Sequence, residues 1–247
     1  MNTVLVAHRG EPEHFPENSL QGFRAVLTAG ARLLETDIQL TADGVPVLSH
    51  DPSLQKLTGH DLTVTRTRWK ALRELSAGEP ERFGATFSQA RIARLEDFVV
   101  LLGQWPLAQA FVEIKQESLD AFGVEAVVER VLEQLAPVHE QCILISFSAD
   151  VIRYAHGRIR TGWALREWSA ASHVLAEQLA PDYLFVNRKR IPAEQEPLWP
   201  GQWQWVVYTV NQAAEVPGYL ARGFALIETN VIRSLLATPQ HTGSADV

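Results

Sequence analysis

Residues 35 to 51 read Glu35-Thr36-Asp37-Ile38-Gln39-Leu40-Thr41-Ala42-Asp43-Gly44-Val45-Pro46-Val47-Leu48-Ser49-His50-Asp51. Two β-runs meet at Asp43-Gly44, a dipeptide that accepts the positive φ angles of a tight hairpin turn. With those two residues at the turn centre, Asp37 stands opposite His50. Glu35 and Asp37 are two apart on one strand and share a face. A directly paired cross-strand residue shares that face as well, with Cβ atoms roughly 5 Å away. The hairpin therefore gathers two carboxylates and an imidazole at one spot. Two such carboxylates repel unless a positive group lies between them or one keeps its proton. A divalent cation on oxygen ligands is the simplest resolution, Mg²⁺ or Ca²⁺ rather than zinc. A solvated strand face with incidental charge is the plain alternative.

Upstream, Thr3 to Ala7 is a continuous aliphatic and β-branched run, as expected of a strand covered on both faces. It stops at His8-Arg9-Gly10. Pro16-Glu17-Asn18-Ser19 follows, with Asn18 or Ser19 as the cap of a helix that runs to about Ala29 and is ended by Gly30. Leu33 to Gln39 is the second strand and opens the hairpin. Downstream, Pro52 to about Arg94 sustains no period and reads as an insertion, with one short helix around Trp69, Leu72 and Leu75.

Regular alternation returns with a helix from Leu95 to Leu102 and the buried strand Ala110-Phe111-Val112-Glu113-Ile114-Lys115. A long helix over Leu119 to Leu135 comes next. Strands follow at Cys142 to Ser146, Arg160 to Leu165, Tyr183 to Val186, Trp203 to Val210 and Ala225 to Glu228, with helices between them. Without the returning arm of the hairpin there are eight strands in a strand–helix rhythm. That predicts an α/β protein, a (β/α)8 TIM-type barrel with a β-hairpin extension after strand 2 and a small insertion. A doubly wound open sheet is the main competitor, and the lack of a Gly-rich phosphate loop after the first strand counts against it. The expected layout is one barrel over residues 1–237, interrupted at about 52–94, and a loose tail over 238–247.

A chain of 247 residues is long enough for one such barrel. The net charge of −7 and the lack of any Lys/Arg block give no nucleic-acid footprint. The single cysteine, Cys142, excludes an intramolecular disulfide and lies in an apolar run, as a buried core thiol does. Met1 to Ala7 is too short and lacks the basic start of a signal peptide, and no apolar run approaches the roughly 18 residues that cross a bilayer. The expectation is a cytoplasmic protein without integral membrane association, of open oligomeric state.

In a TIM-type barrel, catalytic groups sit at the C-terminal ends of several strands. Here His8 and Arg9 follow strand one, Glu35 and Asp37 lie on strand two, and Glu113 and Lys115 on the next. Buried strands ending in charge are hard to explain by packing, because unpaired buried charge is expensive. The set suits phosphoryl-ester hydrolysis. A cation held by Glu35, Asp37 and Glu113 could polarise a phosphoryl oxygen, Arg9 and Lys115 could neutralise the remaining phosphate charge, and His8 and His50 could divide the general-base and general-acid roles.

His8-Arg9-Gly10, Glu17-Asn18-Ser19, Glu35-x-Asp37, Asp43-Gly44, His50-Asp51 and Val112-Glu113-Ile114-Lys115 form an ordered set. With Ile145-Ser146-Phe147 and Tyr208-Thr209-Val210-Asn211 it resembles the glycerophosphodiester phosphodiesterase family over most of the chain. The resemblance implies a divalent metal ion (Mg²⁺ or Ca²⁺) on Glu35, Asp37 and Glu113 and an acid/base pair at His8 and His50. It also implies a small-molecule glycerophosphodiester as substrate, hydrolysed to sn-glycerol 3-phosphate and an alcohol, with Glu17 and Asn18 in support. Three departures stand out. Tyr208, a substrate-binding candidate, replaces a common Trp. Glu228-Thr229-Asn230 replaces a common Thr-Asp ending, which puts any role at that strand end in doubt. Arg94 occupies a spot where a small or proline-containing sequence is common. A metal-dependent lyase or aldolase on the same barrel, or a catalytically silent phosphate-binding protein, are the competing readings.

Overall fold

The computed structural model describes residues 4–191 and 197–237. The tail expected over 238–247 lies outside them. Among the described residues nine strands occur: β1 Leu5–His8, β2 Leu33–Leu40, β3 Pro46–Leu48, β4 Gln109–Ile114, β5 Cys142–Ser146, β6 Arg160–Ala164, β7 Tyr183–Asn187, β8 Gln204–Tyr208 and β9 Leu226–Thr229. Eight of them are parallel. They run β1-β2-β4-β5-β6-β7-β8-β9, and β9 pairs back onto β1 to close the barrel. The remaining strand, β3, lies antiparallel on β2. The predicted barrel and its hairpin extension are therefore observed.

Alternation along each strand divides the core in two. Leu5, Ala7, Leu34, Ala110, Val112 and Ile227 join the large layer between barrel and helices. Val6, Phe111, Ile143, Tyr183, Phe185, Val206 and Leu226 fill the barrel itself. Phe111 is its centre, meeting Tyr183 and Phe185 edge-on with ring centroids 5.0 and 5.2 Å away. The same period of two carries the inward row upward from Val6 to His8, from Leu33 to Glu35 and Asp37, from Phe111 to Glu113, and from Leu226 to Glu228. Apolar side chains plug the bottom of the barrel and polar ones occupy its C-terminal mouth.

The hairpin register differs from the sequence expectation by one residue. Ile38 pairs with Leu48 and Gln39 with Val47, so Ser49 rather than His50 stands opposite Asp37, and its N–H donates to Asp37 O at 3.0 Å. The loop holds three residues instead of two. Gly44 N–H donates to Thr41 O at 2.8 Å, and Gly44 takes a φ of 77°, the left-handed residue that closes a type I turn. His50 lies beyond the end of β3 in a bend, where Gln39 Nε2 donates to its carbonyl at 3.0 Å.

A second correction concerns the long helix. It divides into Gln116–Phe122 and Val124–Leu135, because Gly123 at φ 81° breaks the helical path between them. The first helix behaves as expected. Ser19 caps it by accepting from Gly22 N–H at 3.1 Å, and it runs from Leu20 to Thr28. Residues 52–94 carry short helices at Gln55–Thr58, Trp69–Leu72 and Pro80–Phe83. They pack around Leu54, Leu57, Val64, Leu72 and Ile92, a small core that Val47 of β3 joins. The hairpin is thus the bridge between this insertion and the barrel. Among the described residues no helix is long and apolar enough to cross a membrane.

Candidate active site

Arg9 is the first residue past β1 and takes a φ of 52°, a conformation that costs a non-glycine residue about 1–3 kcal/mol. The turn is held by its N–H, which donates to Glu35 O and to Glu35 Oε2, both at 3.1 Å. This brings the guanidinium back over the barrel, where Nε lies 3.0 Å from Asp37 Oδ2 and Nη1 lies 3.5 Å from Glu17 Oε2. Asn18 also sits at positive φ, 55°, a form that asparagine tolerates well. Its Nδ2 donates to Asp37 Oδ2 at 3.0 Å, and its Oδ1 accepts from Thr36 Oγ1 at 2.8 Å. Glu17 takes a hydrogen bond from Lys56 of the insertion, and its own N–H donates to Glu79 at 2.7 Å. The two residues expected to support the site therefore buttress Asp37 and tie the insertion to the barrel mouth.

Glu35, Asp37 and Glu113 come together, each offering a carboxylate oxygen within 4.8 Å of the others. Asp37 and Glu113 are register partners across β2 and β4. Lys115 Nζ reaches both, 2.9 Å from Glu113 Oε1 and 3.3 Å from Asp37 Oδ1. Burial raises the Asp37 pKa, but Arg9 and Lys115 outweigh it and hold the carboxyl well below the usual range. For Glu35 the balance goes the other way. Burial, with Asp37 and Glu228 adding to it, pushes its pKa well up. Burial likewise raises Glu113, with Lys115 opposing.

His8 and His50 line one cavity of about 280 Å³, together with Arg9, Glu35, Glu113 and Lys115 on one side and Ile145, Phe147, Phe185 and Tyr208 on the other. His8 is pushed down to about 3 by burial and by the Arg9 guanidinium, so it stays neutral. His50 Nδ1 lies 2.7 Å from Asp51 Oδ1. The Tyr208 hydroxyl is pushed well up by burial and by Glu228 and Glu113, and it stays protonated. Every candidate named from the sequence thus reaches this cavity or the groups that support it.

Two further residues belong to the site that sequence reading left in doubt. Glu228 of β9 is buried, with Oε1 3.2 Å from His8 Nε2. Just past that strand, Asn230 Oδ1 lies 2.6 Å from His8 Nδ1. The period of two that places Leu226 in the barrel also points Glu228 inward, so this residue was accessible to the same rule. Nothing local marks Asn230, because its contact with His8 is made across the closing seam of the barrel.

The donor set fits a hard divalent cation. All three clustered groups are carboxylates, Glu35 Oε1 is buried without a hydrogen-bond partner, and Asp37 Oδ1 has only the Lys115 ammonium, 3.3 Å away. Counting Glu228, four carboxylates, three buried and Glu113 half-buried, face two cations, Arg9 and Lys115. Burial first, and the neighbouring carboxylates after it, raise the pKa values of Glu35, Glu113 and Glu228.

Comparison with known proteins agrees with this geometry. Residues 8–194 match the model of the glycerophosphoryl diester phosphodiesterase family. A glycerophosphodiester phosphodiesterase of Caldanaerobacter subterraneus subsp. tengcongensis is 30% identical over 153 residues, 62% of this chain and 61% of that protein. The mouse glycerophosphodiester phosphodiesterase 1 is 28% identical over 167 residues, 66% of this chain and 49% of that protein. The chain thus matches between half and three-fifths of the length of these relatives. Among solved structures, an Oleispira antarctica phosphodiesterase in complex with the product sn-glycerol-3-phosphate superposes with a TM-score of 0.81. It is 20% identical, with 94% of each chain covered. A glycerophosphodiester phosphodiesterase of Thermotoga maritima gives 0.71 at 20% identity, covering 95% of this chain and 97% of that one. At such identities the superpositions establish the common barrel.

Proposed function

The chain belongs to the glycerophosphoryl diester phosphodiesterase family, and from that premise we propose that it hydrolyses a glycerophosphodiester to sn-glycerol 3-phosphate and an alcohol. The observation that carries this reading is one cavity lined at once by two histidines, two cations and two members of a three-carboxylate cluster.

Glu35, Asp37 and Glu113 would hold the divalent cation, Mg²⁺ or Ca²⁺ by their all-oxygen chemistry. Bound there, it would draw charge from a phosphoryl oxygen and supply several kcal/mol of transition-state stabilisation. Arg9 and Lys115 offset the remaining charge of the phosphate. Neutral His8 accepts the proton of the attacking hydroxyl, the glycerol 2-hydroxyl or water, as its oxygen bonds to phosphorus. His50, held at Nδ1 by Asp51, delivers a proton to the alcohol oxygen as its bond to phosphorus breaks. If the glycerol hydroxyl attacks first, a cyclic phosphate results, and water opens it with the two imidazoles in exchanged roles.

Glycerophosphodiesters of different alcohols, assayed for glycerol 3-phosphate release with and without EDTA, test the proposal. Release in Mg²⁺ or Ca²⁺ that EDTA abolishes is expected. His8→Ala and His50→Ala should each lower turnover by about a hundredfold or more. No release from any diester in either cation would overturn it, and near-normal turnover of a histidine variant would remove that residue from the mechanism.

A further inference from the structure

The seam where β9 closes onto β1 presents two groups to His8 that the reaction above leaves unused. Nδ1 lies 2.6 Å from Asn230 Oδ1, and Nε2 lies 3.2 Å from Glu228 Oε1. A neutral imidazole has a single N–H, so these contacts compete for it. With the proton on Nδ1, the ring donates to Asn230 and Nε2 keeps a lone pair toward the cavity. With the proton on Nε2, the ring donates to Glu228, and Nδ1 must accept from the Asn230 amide nitrogen. The second arrangement leaves no basic nitrogen facing the substrate.

Two observations favour the first. The Nδ1 contact is the shorter of the two, and it is made to the amide oxygen. Asn230 is also fixed in place. Its N–H donates to Asn211 Oδ1 at 3.0 Å, and Thr229 Oγ1 donates to the same oxygen at 3.2 Å. This anchors the residue to the segment after β8 before it meets His8.

We propose that Asn230 is a positioning residue for His8: its side-chain oxygen keeps the ring proton on Nδ1 and so makes Nε2 the nitrogen that accepts the proton of the attacking hydroxyl. The kinetic consequence rests on the hydrolytic reading above, whereas the tautomer is a property of the protein alone. The Glu228 carboxyl then lies beside Nε2, where its oxygen can accept a hydrogen bond from the imidazolium formed once the proton arrives.

The protein labelled with ¹⁵N-histidine answers the first point by two-bond proton–nitrogen correlation spectra near neutral pH. The His8 signals are identified by their loss in His8→Gln. An Nδ1–H form is expected in the wild type and in Asn230→Asp, which can only accept, and its loss is expected in Asn230→Leu. An Nε2–H form in the wild type would overturn the proposal. Kinetically, Asn230→Leu should lower kcat by about ten- to a hundredfold with KM within about twofold, and Asn230→Asp should restore most of that loss. Equal losses in both variants would also overturn it. A wild-type protein with the Nδ1–H form that releases no glycerol 3-phosphate would uphold the geometry and strike down only the reaction.

Discussion

The two sides of the barrel mouth are built from unlike material. The side formed by β1, β2, β4 and β9 ends in His8, Arg9, Glu35, Asp37, Glu113, Lys115 and Glu228, all buried or half-buried and paired with one another. The side formed by β5, β6, β7 and β8 presents Ile145, Phe147, Ala164, Phe185, Asn187 and Tyr208 to the same cavity. Both sides use the same alternation and the same parallel register, so geometry alone does not distinguish them. The difference lies in what must be held there. Charge that would be costly alone is tolerable in a network, so the charged groups cluster where they can neutralise one another and a cation. The opposite side carries little charge and offers shape and a few polar contacts, as the apolar wall of a small-molecule pocket does.

The comparison can be broken most severely at Asp37, which meets Arg9, Lys115 and Asn18 at once. Asp37→Ala leaves two cations without their shared partner and should lower unfolding free energy in urea by ~3–5 kcal/mol at neutral pH. Its depressed pKa makes that contribution full above the ordinary carboxylate range and lost as the pH falls through the folded value. A wild-type stability at neutral pH would mean that the network is solvated rather than buried.

A smaller effect of opposite sign is expected at Glu228, whose pKa is pushed up to about 8, first by burial, with Arg9 opposing and Glu113 adding. Folding takes up a proton between the ordinary carboxylate range and that value, so stability falls as pH rises through this window. In metal-free protein, Glu228→Gln should gain roughly 1–3 kcal/mol over the wild type near about pH 8 and nothing near about pH 4. A gain that does not vary with pH would assign it to packing instead. The mildest change belongs to the other side of the mouth. Phe147→Ala should raise KM by no more than about tenfold, ~1.4 kcal/mol, and leave kcat near the wild-type value. A loss of kcat as large as that of a histidine variant would erase the distinction between the two sides.

Much of this was legible in the chain, for identifiable reasons. The strand ends stand out because His8, Glu113 and Lys115 interrupt apolar runs, and such interruptions are visible in a short window. The hairpin was legible in outline but misjudged in register, since whether Asp43-Gly44 closes a two- or a three-residue loop depends on the backbone path and not on the dipeptide. Gly123 lies inside a helical pattern, and that pattern hides its break in the helix. The insertion stayed opaque because its core draws single residues such as Leu54, Val64 and Ile92 from scattered points, with no period to reveal them.

By itself the sequence determined the eight-strand rhythm, the inward placement of the acids and the pairing of their types with two histidines, because alternation and strand ends are local properties of the backbone. Tertiary structure alone decided which nitrogen of His8 meets which partner, how Lys115 divides itself between Glu113 and Asp37, and that His50 enters from a bend past β3. Those outcomes depend on contacts between segments as far apart as β1 and β9, and only closure of the barrel brings these together.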